Sequence, residues 1–120
     1  MELQDFIIQL KKFNQERDWD KYHNPKDLLI ALMSEVGELA DLYRWLSPEE
    51  VISVHKNPEK KNEIEEELAD VFMNILILAY KTNTDLEEAF LKKIKKNGLK
   101  YPVDKIKGIH SNKLAGIKGK

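Results

Sequence analysis

Ser34-Glu35-Val36-Gly37-Glu38-Leu39-Ala40-Asp41 and Glu65-Glu66-Glu67-Leu68-Ala69-Asp70-Val71 are two acidic clusters set inside otherwise apolar, helix-patterned stretches. Residues three apart on a helix are neighbours on one face, so Glu35 with Glu38, and Glu67 with Asp70, each present two carboxylates in one direction. Two such helices packed side by side bring four acids together. Carboxylates held that close repel and raise one another's proton affinity unless a hard cation such as Mg²⁺ sits between them. The expectation is a helical protein organised around one metal site.

Around the first cluster, Leu28, Leu32, Leu39, Leu42 and Leu46 fall close to one line at about 100° per residue, which predicts a helix from Pro25 to Leu46. Glu35 lies in the middle of that line. Buried unpaired, it would cost several kcal/mol, roughly, or take up a proton. A neutral or Arg-paired glutamate is the alternative, but no basic residue occurs between Lys26 and Arg44. Glu38 and Trp45 border the same stripe two turns apart, which places an indole beside the metal. Gly37 in mid-helix points to a close approach to the backbone.

Around the second cluster, Ile64, Leu68, Val71, Phe72, Ile75 and Ala79 predict the core face of a helix from about Glu59 to Lys81. Glu63, Glu67, Asp70 and Asn74 run as a polar stripe along its edge, while Glu65 and Glu66 point to solvent. From Val71 to Tyr80 the segment is apolar nearly all round. One 120-residue chain supplies too little to cover such a helix, so an oligomer is expected.

Toward the N-terminus, Leu3, Phe6, Ile7, Leu10 and Phe13 predict an amphipathic helix over about residues 2–16. Arg17 to Pro25 breaks the pattern and forms an aromatic loop, which Asn24-Pro25 closes while preparing the next helix start. Trp19 there either stacks on a nucleobase or plugs the core, and His23 carries the same two readings. Ser47-Pro48-Glu49-Glu50 signals a short helix over about 48–54, and His55 reads as a surface residue. Thr82 to Asp85 is a turn and cap. Leu86, Ala89, Phe90 and Ile94 mark a further helix expected to stop at Asn97-Gly98, with Lys92, Lys93, Lys95 and Lys96 near its C-terminus. Tyr101-Pro102 is expected to end regular structure. The predicted division is therefore a domain over residues 1–102 and a basic, mobile arm over 103–120.

The totals narrow the function. One domain of 120 residues with 42% hydrophobic and 34% charged residues suits a helical fold. With no cysteine there are no disulfides or thiolate metal sites, so oxygen must ligate any metal. The N-terminus shows no secretory pattern and no stretch reaches membrane-spanning length, so a cytoplasmic location without a membrane is expected. From Gly98 onward six lysines face one acid, against a net charge of −1 for the chain. That asymmetry suits an anionic polyphosphate, but it is too slight to make nucleic acid an expected partner. Triads, phosphate-binding glycine loops, His-Glu-x-x-His and the Glu-x-x-His elements of di-iron bundles are all absent. Mg²⁺ is therefore preferred to iron, with Mn²⁺ as its substitute. Mg²⁺ on a few carboxylates completes its shell with water and substrate phosphates, which points to hydrolysis of a nucleotide at phosphorus.

Glu35-Val36-Gly37-Glu38 followed by Glu67-Leu68-Ala69-Asp70 resembles the Glu-x-x-Glu…Glu-x-x-Asp signature of the MazG-like all-α nucleotide pyrophosphohydrolases. Glu16-Arg17-Asp18-Trp19, Asn24-Pro25, Leu39-Ala40 through Trp45, and Lys93…Asn97…Tyr101-Pro102 are similar to the dCTP pyrophosphatase branch. The resemblance runs from about Phe13 to Pro102. It implies a four-helix bundle-like subunit that assembles into a tetramer, a dimer of dimers, with sites built between subunits. It also implies Mg²⁺ on Glu35, Glu38, Glu67 and Asp70, with Glu35 and Glu38 catalytic. Water would attack the α-phosphorus of a nucleoside triphosphate, giving a monophosphate and pyrophosphate. Trp19 and Trp45 would line the base pocket, and Lys93, Asn97 and Tyr101 would contact nucleotide. Three positions depart from the branch: Asn74 in place of its usual Tyr, Gly98-Leu99 in place of basic residues, and Leu10 or a neighbour where the vertebrate form has a histidine. These leave the base open, with dCTP and modified or non-canonical nucleotides favoured. An all-α dUTPase-like enzyme and a non-catalytic helical adaptor are the alternatives.

Overall fold

The structure, a computed structural model, describes residues 2–109. Among these residues every regular element is a helix: α1 (Leu3–Glu16), α2 (Pro25–Asp41), α3 (Pro48–Val54), α4 (Pro58–Lys81), α5 (Leu86–Lys100) and α6 (Val103–Ile106), with a single 3₁₀ turn at Asp20–Tyr22. The chain divides after Thr84 into two compact units.

Helix starts follow directly from local chemistry. Asn24, Ser47, Asn57 and Asp85 each accept a first-turn backbone N–H, at 2.9, 3.2, 3.0 and 3.0 Å respectively, and Pro25, Pro48 and Pro58 follow the first three caps. A proline at that point gives up only an N–H that would have no partner in the helix. The ends of α1 and α4 share one device. After α1, Asp18 takes φ 53° and Trp19 N–H reaches back to Asn14 O at 3.0 Å; after α4, Asn83 takes φ 53° and Thr84 N–H reaches Ala79 O at 2.8 Å. Both are left-handed caps of the kind glycine usually supplies, here built with Asp and Asn.

In the first unit α4 is the common support, with α1 and α2 both packed on it. The buried apolar residues are Ile7 of α1, Leu28 of α2, and Ile64, Leu76, Ile77 and Ala79 of α4. The expected α4 face is thus corrected. Leu68 and Phe72 stay exposed, whereas Leu76 and Ile77 are buried, because the faces covered by α1 and α2 select among residues that are apolar all round. Phe72 meets Phe6 edge to face, with ring centres 6.1 Å apart.

Other expectations also change. Helix α2 stops at Asp41 instead of running to Leu46, because Leu42 and Tyr43 N–H bond three residues back, at 3.1 and 3.0 Å, and tighten the chain into a turn. His55 is exposed, as expected, and its Nε2 lies 2.7 Å from the Tyr43 hydroxyl. In the second unit α5 passes through Gly98 and ends at Lys100, where Pro102 restricts Tyr101. A short helix, α6, then follows Tyr101-Pro102. Phe90 and Ile94, which mark the helical spacing of α5, are exposed. Of the basic arm, residues 110–120 lie outside the described residues.

Candidate metal centre

The side-by-side packing of α2 and α4 brings one carboxylate oxygen each from Glu35, Glu38 and Glu67 to within 4.8 Å of one another. Glu35 and Glu67 are half-buried and Glu38 is exposed. One oxygen of Glu35 and one of Glu67, Oε2 in each, are sealed from solvent with no hydrogen-bond partner. Burial, a proton shared with Glu67, and the charges of Glu38, Asp70 and Glu67 push the Glu35 carboxyl up to about 7 from an ordinary 4.5. Burial likewise pushes Glu67 up.

Neighbouring cations do not relieve this charge. Arg44 pairs with Asp41 at 3.1 Å, Lys60 with Glu63 at 3.5 Å and Lys61 with Glu65 at 3.9 Å. Among the described residues no ion pair reaches Glu35, Glu38, Glu67 or Asp70. Converging, unneutralised carboxylates with buried bare oxygens are the donor set a hard divalent cation requires. The fourth expected acid, Asp70, stands outside the group of three but close enough to raise Glu35. Gly37 makes no close approach within the chain, since a Cβ added there would meet nothing within 4 Å.

Beside the acids, the first unit holds a cavity of about 620 Å³. Phe6 and Phe13 of α1, Trp19 and His23 of the aromatic loop, and Ile77 of α4 give it an apolar, aromatic wall, while Glu35, Asp70 and Asn74 supply polar groups. Its size and mixed lining are those of a small-molecule site. Trp19 packs edge-on against Phe13 at 5.8 Å, and the Arg17 guanidinium covers Phe13 at 3.7 Å. Asn74 donates from Nδ2 to the Asp70 carbonyl oxygen at 2.9 Å, and Leu10 is also in the wall. Glu35 therefore belongs to both the acid cluster and the cavity.

Of the remaining predicted residues, Trp45 belongs to the first unit and Lys93, Asn97 and Tyr101 to the second. Trp45 sits on the turn after α2, 81% exposed, under the Arg44 guanidinium at 4.6 Å, and is not among the cavity walls. Its expected position rested on a helix continuing past Asp41. Lys93, Asn97 and Tyr101 fall four apart along α5 and its cap in the second unit, and Tyr101 N–H donates to Asn97 O at 2.8 Å. Asn14 and Gln9 enter the cavity wall without having been singled out. Asn14 had a signal: it continues the Leu3, Ile7, Leu10 line as a polar residue on an apolar stripe.

This chain belongs to the MazG-like family, whose model matches residues 30–113. Among individual relatives, dCTP pyrophosphatase 1 of Bos taurus is 39% identical over 97 residues, covering 81% of this chain and 57% of that protein. The Homo sapiens protein of the same name is 40% identical over 91 residues, 76% of this chain and 54% of its own. The chain thus spans just over half the length of these curated relatives. A pyrophosphatase from Archaeoglobus fulgidus, known from its crystal structure, shares 36% identity and superposes with a TM-score of 0.77 over 83% of this chain and 92% of its own.

Proposed function

We propose that this protein is a Mg²⁺-dependent nucleoside triphosphate pyrophosphohydrolase acting on dCTP or on modified or non-canonical nucleotides, with Mn²⁺ able to replace Mg²⁺. The observation that carries this reading is the sharing of Glu35 between an unneutralised acid cluster and an aromatic cavity. The pyrophosphatase names of its relatives support it. Glu35, Glu38 and Glu67 would hold the ion, with Asp70 at the edge of the set. Once bound, the ion offsets charge on the phosphates and makes the attacking water more acidic. Trp19 stacks on the base, and Phe13 braces it. Glu35 and Glu38 orient the water and accept its proton as its oxygen bonds to the α-phosphorus. The bond to the bridging oxygen breaks, and pyrophosphate leaves. Lys93 and Asn97, four apart on α5, and Tyr101 at its cap would meet the nucleotide, Lys93 at phosphate.

The same reading makes α1, α2, α4 and α5 the four helices of a bundle-like subunit and the working form a homotetramer, a dimer of dimers. Leu29, Ile30, Met33 and Val36 of α2, with Leu68, Phe72 and Met73 of α4, are exposed apolar side chains that support an interface between copies. Trp45 then reaches a base from a neighbouring subunit. A cytoplasmic location belongs to the same proposal; among the described residues no helix is long and apolar enough to cross a membrane. The test is a panel of deoxynucleoside and modified triphosphates with Mg²⁺, read by ³¹P NMR. Monophosphate and pyrophosphate, fastest from dCTP or a modified analogue, are expected. A preference for dUTP would favour a dUTPase-like enzyme. No turnover despite intact metal binding would favour an adaptor.

A further inference from the structure

The loop that carries Trp19 into the cavity wall is fastened by a polar chain whose outer members do not line the cavity. Asn14 is 3% exposed, the one buried polar residue among those described. Its carbonyl accepts Trp19 N–H at 3.0 Å, and its Nδ2 donates to the Tyr80 hydroxyl at 3.1 Å. Tyr80 in turn donates to Asp20 Oδ1 at 3.4 Å. Lys81 Nζ lies 3.0 Å from Asp20 Oδ2 and donates to the Asp20 carbonyl oxygen at 3.1 Å. Asp20, next to Trp19, is thus gripped three times by the last turn of α4.

The other ionic contacts of this loop are local. Lys21 pairs with Asp18 at 2.8 Å, and Arg17 donates to Phe13 O at 3.1 Å. Both stay within the loop and the end of α1, whereas Tyr80 and Lys81 tie the loop to α4. Burial pushes the Tyr80 hydroxyl above its ordinary value, which keeps it a donor. Charge-assisted bonds in a half-buried setting hold geometry better than exposed pairs do. We propose that Tyr80 and Lys81 are positioning residues that fix Trp19 against the bound nucleotide and so set substrate affinity without entering the chemical step. This rests on the pyrophosphohydrolase reading, in which Trp19 meets the base.

The experiment uses the full chain labelled with 5-fluorotryptophan, together with Tyr80→Phe, Lys81→Met and Lys81→Arg, and dCTP with Mg²⁺ as the probe. Lys81→Met is expected to raise KM about tenfold while kcat stays within about twofold, the signature of lost uniform binding. Lys81→Arg restores KM. The Trp19 fluorine line shifts or broadens in Lys81→Met and returns in Lys81→Arg, while the Trp45 line stays in place. Tyr80→Phe, which removes one hydroxyl and keeps the packing, moves both readouts the same way and serves if Lys81→Met does not fold. Unchanged KM in the folded variants, or a fall in melting temperature alone, overturns the proposal. If the wild-type protein hydrolyses no triphosphate, the pyrophosphohydrolase reading fails separately, and an unmoved Trp19 line would still overturn the positioning role.

Discussion

The proton on Glu35 offers the sharpest handle on the metal centre. A divalent ion binds the ionised carboxylates, so it must displace a proton from any acid still protonated at the working pH. With the Glu35 carboxyl at about 7, roughly nine sites in ten carry that proton at pH 6 and one in ten at pH 8. Apparent Mn²⁺ affinity should therefore fall about tenfold between pH 8 and pH 6, and about another tenfold by pH 5, before any second acid titrates. Calorimetric titrations in two buffers of different ionisation enthalpy would read both the affinity and the protons released. Close to one proton per ion is expected at pH 6 and close to none at pH 8. Glu35→Gln should weaken binding and remove the step near pH 7. Affinity flat from pH 6 to 8 with no proton release would refute the shared, buried carboxyl.

Further outcomes follow from the same geometry. Without metal, Glu35 has its folded value raised from 4.5 to about 7, so its contribution to stability is complete below about 4.5 and is lost as pH rises through 7. Thermal scans should show that loss, and Mg²⁺ should offset it more at pH 8 than at pH 6. Glu67→Gln should cost more Mn²⁺ affinity than Asp70→Asn, because Asp70 lies outside the three-oxygen group. Asp70→Asn should also lower the pH midpoint of binding, since its charge helps hold Glu35 up. Leu76→Ala, at the most deeply buried side chain, should cost about 2–5 kcal/mol in urea unfolding. Asn24→Ala, which deletes the α2 cap, should cost only about 1 kcal/mol.

Helix starts were legible because they are local. Asn24-Pro25 and Ser47-Pro48 each combine a side-chain acceptor with a preset φ, and each opens a helix where expected; Asn57-Pro58 does the same for α4, although its residues read as loop. Helix ends were less so. Gly98 looked like a stop and is not, whereas Asp18 and Asn83 take the left-handed cap with no glycine to announce it. The leucine line through Leu42 and Leu46 continued past Asp41 although the backbone did not, since periodicity in side chains does not reveal a change in hydrogen-bond step. At the site, the three-residue spacing foretold that Glu35, Glu38 and Glu67 would converge. It did not foretell that Asp70 would stand outside the three converging oxygens, because spacing along one helix does not decide how that helix meets its neighbour. The cavity was partly legible. The sequence offers Trp19 as a stacking residue, but it shows Phe6 and Phe13 only as an apolar stripe with Asn14 at its end, because only the packing of α1 on α4 turns that stripe into a wall.

The most direct test of the central claim is anomalous-difference crystallography of the protein soaked with Mn²⁺. The account predicts a peak coordinated by carboxylate oxygens of Glu35, Glu38 and Glu67, at the edge of the Trp19 cavity. Mn²⁺ bound only at other acids, or no peak at saturating Mn²⁺, would contradict it.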